Sequence, residues 1–314
     1  MTKIACIFPG QGSQYVGMGK DLFATSWGNE VLETGKRVLG EEFIRVLFEG
    51  PDEELKKTAN TQPAILLTSA AAWQGIQESG LQPDYFAGHS LGEYSAYVAA
   101  GSISLAEALG VVRRRGELMQ AAVPEGQGAM AAILGLETLK VVEACEKARA
   151  ETGGIVGPAN YNSPGQIVIS GEADAVQKAC QYAKELGAKR AMPLAVSGPF
   201  HSPLMKDVGR DLRPVLESIN WQQLSAPVIS NIDAAEVTDQ GVVVESLVRQ
   251  VSGAVLWEQT IRHLGEQGVD TFIELGPGKV LTGLVKKILP GVTLLNVEDL
   301  TSLEKLLAYL KESR

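Results

Sequence analysis

The stretch Gly88-His89-Ser90-Leu91-Gly92 constrains the fold more than any other part of this chain. It fits the pattern G-x-S-x-G, and its flanks supply the context that pattern needs. Tyr85-Phe86-Ala87 reads as a strand, and Glu93 to Ala100, rich in small residues, as a helix. A strand that turns this sharply into a helix forces its central residue into a strained conformation, and a glycine on either side gives the backbone room. The serine hydroxyl then stands at the top of a sheet beside a helix N-terminus, where N–H groups and the helix dipole favour developing negative charge. A glycine-flanked serine in an ordinary turn satisfies the same five letters. The strand before it and the helix after it make a nucleophile the better reading.

A chain of 314 residues suggests roughly two domains with a core large enough to need no covalent staple. A formal net charge of −9 argues against a general nucleic-acid or anionic-membrane binder. Cys6, Cys145 and Cys180 are odd in number, far apart and without a C-x-x-C pair, which suits reduced thiols in a cytoplasmic protein. No metal-ligand cluster stands out. The apolar run Ile4 to Phe8 is too short for a signal-peptide core, and no later stretch is long enough to span a bilayer.

Ile4 to Phe8, closed by Pro9-Gly10-Gln11-Gly12, reads as a buried strand and a glycine-rich loop. Mostly helical segments follow to about Gly80, including Thr61 to Glu78, and another helix runs from about Leu105 to Ala122. From Gly128 the order becomes β-α-β-β-α-β: strand 129–134, helix 137–150, strands 155–161 and 166–170 around Asn162-Ser163-Pro164-Gly165, helix 173–186 and strand 188–196. That order belongs to a ferredoxin-like unit. The expected organisation is therefore α/β: a large domain in two parts, 1–126 and 198–314, with a small ferredoxin-like domain, 127–197, inserted. The second part resumes with strands at 228–230, 271–275 and 292–297 and a helix at 243–251. Thr301-x-x-Glu304 reads as a capping box opening the last helix.

A serine nucleophile needs a base, and the chain has three histidines. His89 adjoins Ser90, and neighbours at an elbow point apart, so it is better suited to fixing the loop by hydrogen bonding. His263 lies in a helical stretch and would complete a hydrolase-like order Ser90…Asp233…His263. His201 sits between Pro199 and Pro203 where the chain leaves the small domain, and that stiffness favours it.

Arg113-Arg114-Arg115 looks like a solvated charge run, but helical periodicity separates the three. Leu105, Ala108, Leu109, Val112, Met119 and Ala122 mark one face, and Arg115 falls on it, whereas Arg114 falls opposite and Arg113 on a flank. An inward guanidinium needs an anionic or strongly polar partner, either an internal carboxylate or the carboxylate of a substrate. The N–H of Gln11, between two small neighbours, is a candidate oxyanion donor alongside that of Leu91. The Gly10-x-Gly12 loop is not a nucleotide site, since position 15 is Tyr, and no Gly-Lys pair has the surroundings of a P-loop.

These residues together resemble the malonyl-CoA:acyl carrier protein transacylases, the stand-alone relatives of acyltransferase domains in fatty-acid and polyketide synthases. The matching segments are Phe8-Pro9-Gly10-Gln11-Gly12-Ser13-Gln14, Gly88-His89-Ser90-Leu91-Gly92-Glu93-Tyr94, Arg115-Gly116, Asn160 through Gln166, Pro199-Phe200-His201-Ser202, and Gln250 before Trp257. The resemblance implies a hydrolase-like large domain with a mostly parallel sheet and an active site in the cleft against the small domain. It implies Ser90 as nucleophile, His201 as base, Gln11 and Leu91 as oxyanion donors, and Arg115 as the clamp on the malonyl carboxylate. It also implies that Gln250 positions His201 through its carbonyl, and that Asn160 and Asn162 order the cleft. Phe200 is what malonyl-selective relatives tend to carry, and its bulk would disfavour a methylmalonyl group by ~1–3 kcal/mol.

The implied reaction is ping-pong transfer of malonyl from malonyl-CoA to the phosphopantetheine thiol of holo acyl carrier protein, with no metal or bound cofactor. A trans-acting acyltransferase of a polyketide synthase and a serine thioesterase or esterase are the alternatives. A monomer suffices. Carrier proteins are acidic, so docking needs a local basic patch, for which Lys189-Arg190 and Lys286-Lys287 are candidates. The chain departs from the family at Ala254-Val255, where Pro often precedes Val, so the loop after Gln250 is expected to be less constrained.

Overall fold

A computed structural model describes residues 2–312. Its ten strands are β1 (Lys3–Phe8), β2 (Tyr85–Gly88), β3 (Gly128–Leu134), β4 (Val156–Ser163), β5 (Gln166–Glu172), β6 (Arg190–Pro193), β7 (Val228–Ile229), β8 (Glu236–Val237), β9 (Val269–Leu275) and β10 (Thr293–Val297). They form two sheets. The larger runs β10-β9-β1-β2-β7-β8, parallel throughout except for the short β7–β8 pair at its edge. Ala5, Cys6 and Ile7 are wholly buried, because helices cover both faces of a central parallel strand. Hence β1 reads as an unbroken apolar run and not as an alternation.

The smaller sheet, β4-β5-β3-β6, is antiparallel. Helices Thr138–Thr152 and Ala173–Glu185 pack on it around Ile133, Val141, Ala144, Ile167, Ile169, Val176 and Ala179. The chain order β-α-β-β-α-β follows the sequence expectation. One strand is shorter than expected: 188–196 contracts to Arg190–Pro193. Leu194 N–H makes the last bond to β3, to the Met130 carbonyl at 2.9 Å, and Val196 N–H then turns back on the Leu194 carbonyl at 3.0 Å.

Helix Thr58–Gln77 is buried along most of its length and packs against helices Ser26–Leu39 and Leu105–Ala121. Its Pro63 has no N–H, which frees the Ala59 carbonyl one turn earlier, and the Arg113 guanidinium takes up that carbonyl at 2.9 Å. Ser104 and Glu107 form a capping box that fixes the start of Leu105–Ala121. The last helix, Leu300–Glu312, is capped differently from the expectation at Thr301 and Glu304. Asp299 Oδ1 accepts from Ser302 N–H at 2.7 Å, and Ser302 Oγ accepts from Asp299 N–H at 3.0 Å. Asp serves as well as Thr at an N-cap, and the reciprocal pair simply starts two residues earlier.

The loops after β1 and β2 open at the carboxyl edge of the large sheet, where ligands of open α/β sheets bind. Buried Glu274 on β9 accepts from Leu281 N–H, Thr282 N–H and Thr282 Oγ. It thereby anchors helix Val280–Ile288 at the same edge.

Candidate active site

Ser90 is the turn between β2 and helix Gly92–Ala99, and its φ of 51° lies in the left-handed region. The flanking glycines are required by contact. A Cβ on Gly88 would sit 1.9 Å from the Gly92 carbonyl, and one on Gly92 would sit 2.1 Å from the Phe8 carbonyl oxygen. The turn is thus closed against both its own helix and β1. Ser90 Oγ lies 2.7 Å from His201 Nε2, and Arg115 Nη2 donates to it at 3.3 Å.

His201 is 5% exposed and also has a positive φ, 57°. Its Nδ1 faces two carbonyls, Gln250 O at 3.0 Å and Gly253 O at 3.1 Å. Carbonyls only accept, so Nδ1 carries the proton and Nε2 is left as the acceptor for the serine hydroxyl. Burial, with the Arg115 charge second, lowers the ring from its ordinary value to about 3. The ring is therefore neutral, with Nε2 facing the Ser90 hydroxyl.

Arg115 is 1% exposed. Its Nη1 donates to Gln62 Oε1 at 2.8 Å, its Nη2 to Gln250 Oε1 at 3.0 Å, and its guanidinium stands over the Tyr94 ring at 5.5 Å. Among the described residues no carboxylate touches the fork, and burial pushes the guanidinium below its usual range. Arg113 lies on the flank against Ala59 and Asn60, and Arg114 is exposed.

A cleft of about 270 Å³ joins these groups, lined by Gln11, Ser90, Leu91, Arg115, Phe200 and His201 with residues of β3, β4 and β5 of the small sheet. Among the described residues no hydrogen bond takes up the N–H of Gln11 or of Leu91. His89 Nε2 meets Asn162 Oδ1 at 2.8 Å, which ties the elbow to β4, and Asn160 lines the cleft beside it. Phe200 is 6% exposed and forms wall. Ala254-Val255 is not the loose segment expected from its lack of proline. Val255 N–H donates to Ala159 O at 2.8 Å and its carbonyl accepts from Tyr161 N–H at 2.9 Å.

The alternative partners lie elsewhere. Asp233 is held by the Arg249 fork at 2.7 and 3.0 Å, and His263 Nε2 faces Glu236 at 3.5 Å. One residue of each basic pair, Arg190 and Lys287, comes near Gln166 at the edge of the cleft. Arg190 and Gln166 both pair with Leu134, and Lys287 Nζ donates to Gln166 Oε1 at 3.0 Å. Among the described residues no group of three or more His, Cys, Asp or Glu side chains could hold a metal ion.

Asn231 and Glu93 were not anticipated. Asn231 Oδ1 accepts from Ser90 N–H at 2.7 Å, and its Nδ2 donates to Gly88 O at 2.6 Å. Glu93 is wholly buried three residues after Ser90. A carboxylate amid Gly, Tyr, Ser and Ala was a signal available in the sequence. Asn231 had none, because only the pairing of β7 with β2 brings it to the elbow.

A strained serine at a strand-to-helix turn, a buried histidine and an inward arginine meet in one cleft, and the class of protein they belong to is an acyltransferase. The chain belongs to the acyl transferase domain family, whose model matches residues 5–305. It is 48% identical over 313 residues to the malonyl CoA-acyl carrier protein transacylase of Bacillus subtilis strain 168, covering 99% of this chain and 98% of that one. An acyl carrier protein S-malonyltransferase from Vibrio cholerae superimposes with a TM-score of 0.94 at 45% identity, covering 97% of this chain and 100% of that one. A malonyl-transacylase solved in complex with its holo type II polyketide acyl-carrier protein matches at TM-score 0.95 and 44% identity, covering 98% of this chain and 100% of that one.

Proposed function

We propose that this chain transfers a malonyl group from malonyl-CoA to the phosphopantetheine thiol of an acyl carrier protein, through a malonyl ester on Ser90. The observation that carries the reading is the double approach to Ser90 Oγ: a neutral imidazole nitrogen at 2.7 Å and a buried guanidinium at 3.3 Å. The first activates a nucleophile. The second selects acyl groups that end in a carboxylate.

His201 Nε2 takes the hydroxyl proton as Ser90 Oγ attacks the thioester carbonyl. The N–H groups of Gln11 and Leu91 receive the developing oxyanion, and Arg115 holds the distal carboxylate. As the tetrahedral intermediate collapses, the carbon–sulfur bond breaks and the proton on His201 passes to the CoA thiolate. The carrier's thiol then gives its proton to His201 and attacks the ester, and Ser90 leaves with that proton. The Gln250 and Gly253 carbonyls keep the ring in the required tautomer where a triad would use a carboxylate. Phe200 narrows the space beside the α-carbon. The phosphopantetheine arrives on the partner, so the scheme includes no resident cofactor or metal.

In this reading the chain works as a monomer of two units, 127–197 against 1–126 with 198–314, and the carrier docks at the basic end of the cleft around Arg190 and Lys287. Three free thiols suit a cytoplasmic setting, and among the described residues no helix is long and apolar enough to cross a membrane. A second reading, a trans-acting acyltransferase of a polyketide synthase, draws on the likeness to the transacylase solved with a polyketide carrier. Loading rates on fatty-acid and polyketide carriers separate the two.

The test is intact-protein mass after brief exposure to malonyl-CoA, for the unaltered chain and Ser90→Ala, followed by a chase with holo carrier. A malonyl adduct on the unaltered chain alone, discharged to the carrier, is expected. An adduct lost to water and not to the carrier would instead make this a thioesterase.

A further inference from the structure

The backbone of Ser90 sits in a conformation that a non-glycine residue keeps only when its surroundings over-determine it. Two side-chain amides from outside the strand–turn–helix unit do so. Asn231, after β7, takes the Ser90 N–H and donates to the Gly88 carbonyl. Gln250, on helix Val243–Ser252, donates through Nε2 to the Ser90 carbonyl at 2.9 Å. An amide has two chemically different ends of nearly the same shape, so each needs something to fix which end faces the elbow.

One oxygen meets both amide residues. Glu93 Oε2 accepts from the Asn231 backbone N–H at 3.0 Å and from Gln250 Nε2 at 2.9 Å. The second bond turns the Gln250 nitrogen towards Ser90 and leaves its oxygen for Arg115. Among the described residues Glu93 forms no ion pair, and the buried Tyr97 hydroxyl is the polar group beside its other oxygen, with no hydrogen bond of normal geometry between them. Burying a carboxylate on such terms costs more than burying an apolar side chain of the same size. Packing therefore does not explain it.

We propose that Glu93 is a positioning residue for the nucleophile, acting on Ser90 through Asn231 and Gln250. The inference rests on the reading of Ser90 as nucleophile. Glu93 never touches the acyl group. It sets the register of the two amides that pin the elbow.

The test uses the full chain and an uncharged fluorophosphonate, which reports Ser90 without calling on Arg115 for a carboxylate. Ser90 Oγ forms a bond to phosphorus, fluoride leaves, and the hydroxyl proton goes to His201. Glu93→Leu, which removes the acceptor, should slow labelling about tenfold to a hundredfold and lower kcat for malonyl transfer in parallel. Glu93→Gln keeps one carbonyl acceptor and should recover most of that loss. A folded Glu93→Leu chain labelled at the unaltered rate overturns the proposal. Equal losses in Leu and Gln also overturn it, because they would implicate the charge and not the acceptor. Where Glu93→Leu does not fold, Asn231→Ala decides: it removes the Ser90 N–H acceptor with Glu93 in place, and unchanged labelling again refutes the clamp. An unaltered chain that is never labelled at Ser90 sinks the nucleophile reading itself, and the inference with it.

Discussion

His201 Nε2 lies 2.7 Å from Ser90 Oγ, and both residues are held at positive φ, 57° and 51°. Two non-glycine residues in left-handed conformations thus face each other across the cleft, one at the end of β2 and one where the chain returns from the small sheet. Each conformation is disfavoured by itself, and each is kept by hydrogen bonds to the segment 231–253: Asn231 and Gln250 on Ser90, and the Gln250 and Gly253 carbonyls on His201.

Removing the base should separate the two candidate histidines. His201→Ala is expected to lower kcat for malonyl transfer by about 10²–10⁴. His263→Ala, on a half-buried helix position facing Glu236, should leave the rate within about twofold, as substitutions away from a site usually do. Steady-state rates on malonyl-CoA with saturating carrier measure both.

Arg115→Ala removes the charged fork beside the nucleophile. Hydrogen bonds to charged groups contribute about 1.5–3 kcal/mol, so malonyl loading should fall roughly tenfold to a hundredfold while acetyl loading holds or rises. Competition between malonyl-CoA and acetyl-CoA, read by adduct mass on Ser90, gives the ratio directly. An unchanged ratio would falsify the carboxylate clamp.

The acid limb of reactivity should lie unusually low. Burial and the Arg115 charge lower His201 from 6.5 to about 3, so it stays a free base as pH falls through the ordinary histidine range. Fluorophosphonate labelling of Ser90 is expected to stay flat there and to fall only on approach to pH 3. Stability follows the opposite course. The unfolded chain binds this proton near 6.5 and the folded chain does not until about 3, so His201's contribution is complete above 6.5 and is lost as pH drops. Glu93, raised by burial from 4.5 to about 7, slopes the other way: its contribution is complete below 4.5 and is lost as pH rises through 7. Melting temperature against pH should therefore show a shallower acid-side decline in His201→Ala than in the unaltered chain.

Charge reversal at the basic end of the cleft should act on the carrier alone. Lys286→Glu with Lys287→Glu is expected to raise KM for holo carrier several-fold and leave KM for malonyl-CoA within about twofold. The difference should shrink as salt rises, because exposed charges are screened over about 8–10 Å at physiological ionic strength. Equal effects on both substrates would move the docking surface elsewhere.

Local patterns brought much of this architecture within reach of the sequence. The elbow announces itself because a side chain at Gly88 or Gly92 would collide with backbone, so the chain spells the turn out in glycine. Arg115 was legible because a 3.6-residue period sorts one arginine from its two neighbours. His201 is favoured by its proline-stiffened loop and by the family resemblance, with His263 as the alternative, and the fold brings His201 to Ser90. Asn231 and the Gln250 side chain were not legible from the residues alone. Their contacts cross 141 and 160 positions of chain, and no local periodicity carries such information. The short β6 was missed for a simpler reason. The last bond to β3 is from Leu194 N–H to the Met130 carbonyl, after which Val196 turns back on Leu194, inside a stretch whose apolar residues otherwise look extended.

The two backbone bonds at Val255 have a mechanical meaning. They join β4 of the small sheet to the segment that ends at Gly253, whose carbonyl orients the His201 ring. A rigid tilt of the small sheet about this stitch would drag that carbonyl and spoil the aim of the base. Across the cleft Lys287 on helix Val280–Ile288 makes a second tie, to Gln166 of β5, whereas Leu194 and Val280 stand exposed at its mouth. The small sheet is thus stitched to the very segment that aims the His201 ring, so the position of the one sets the orientation of the other.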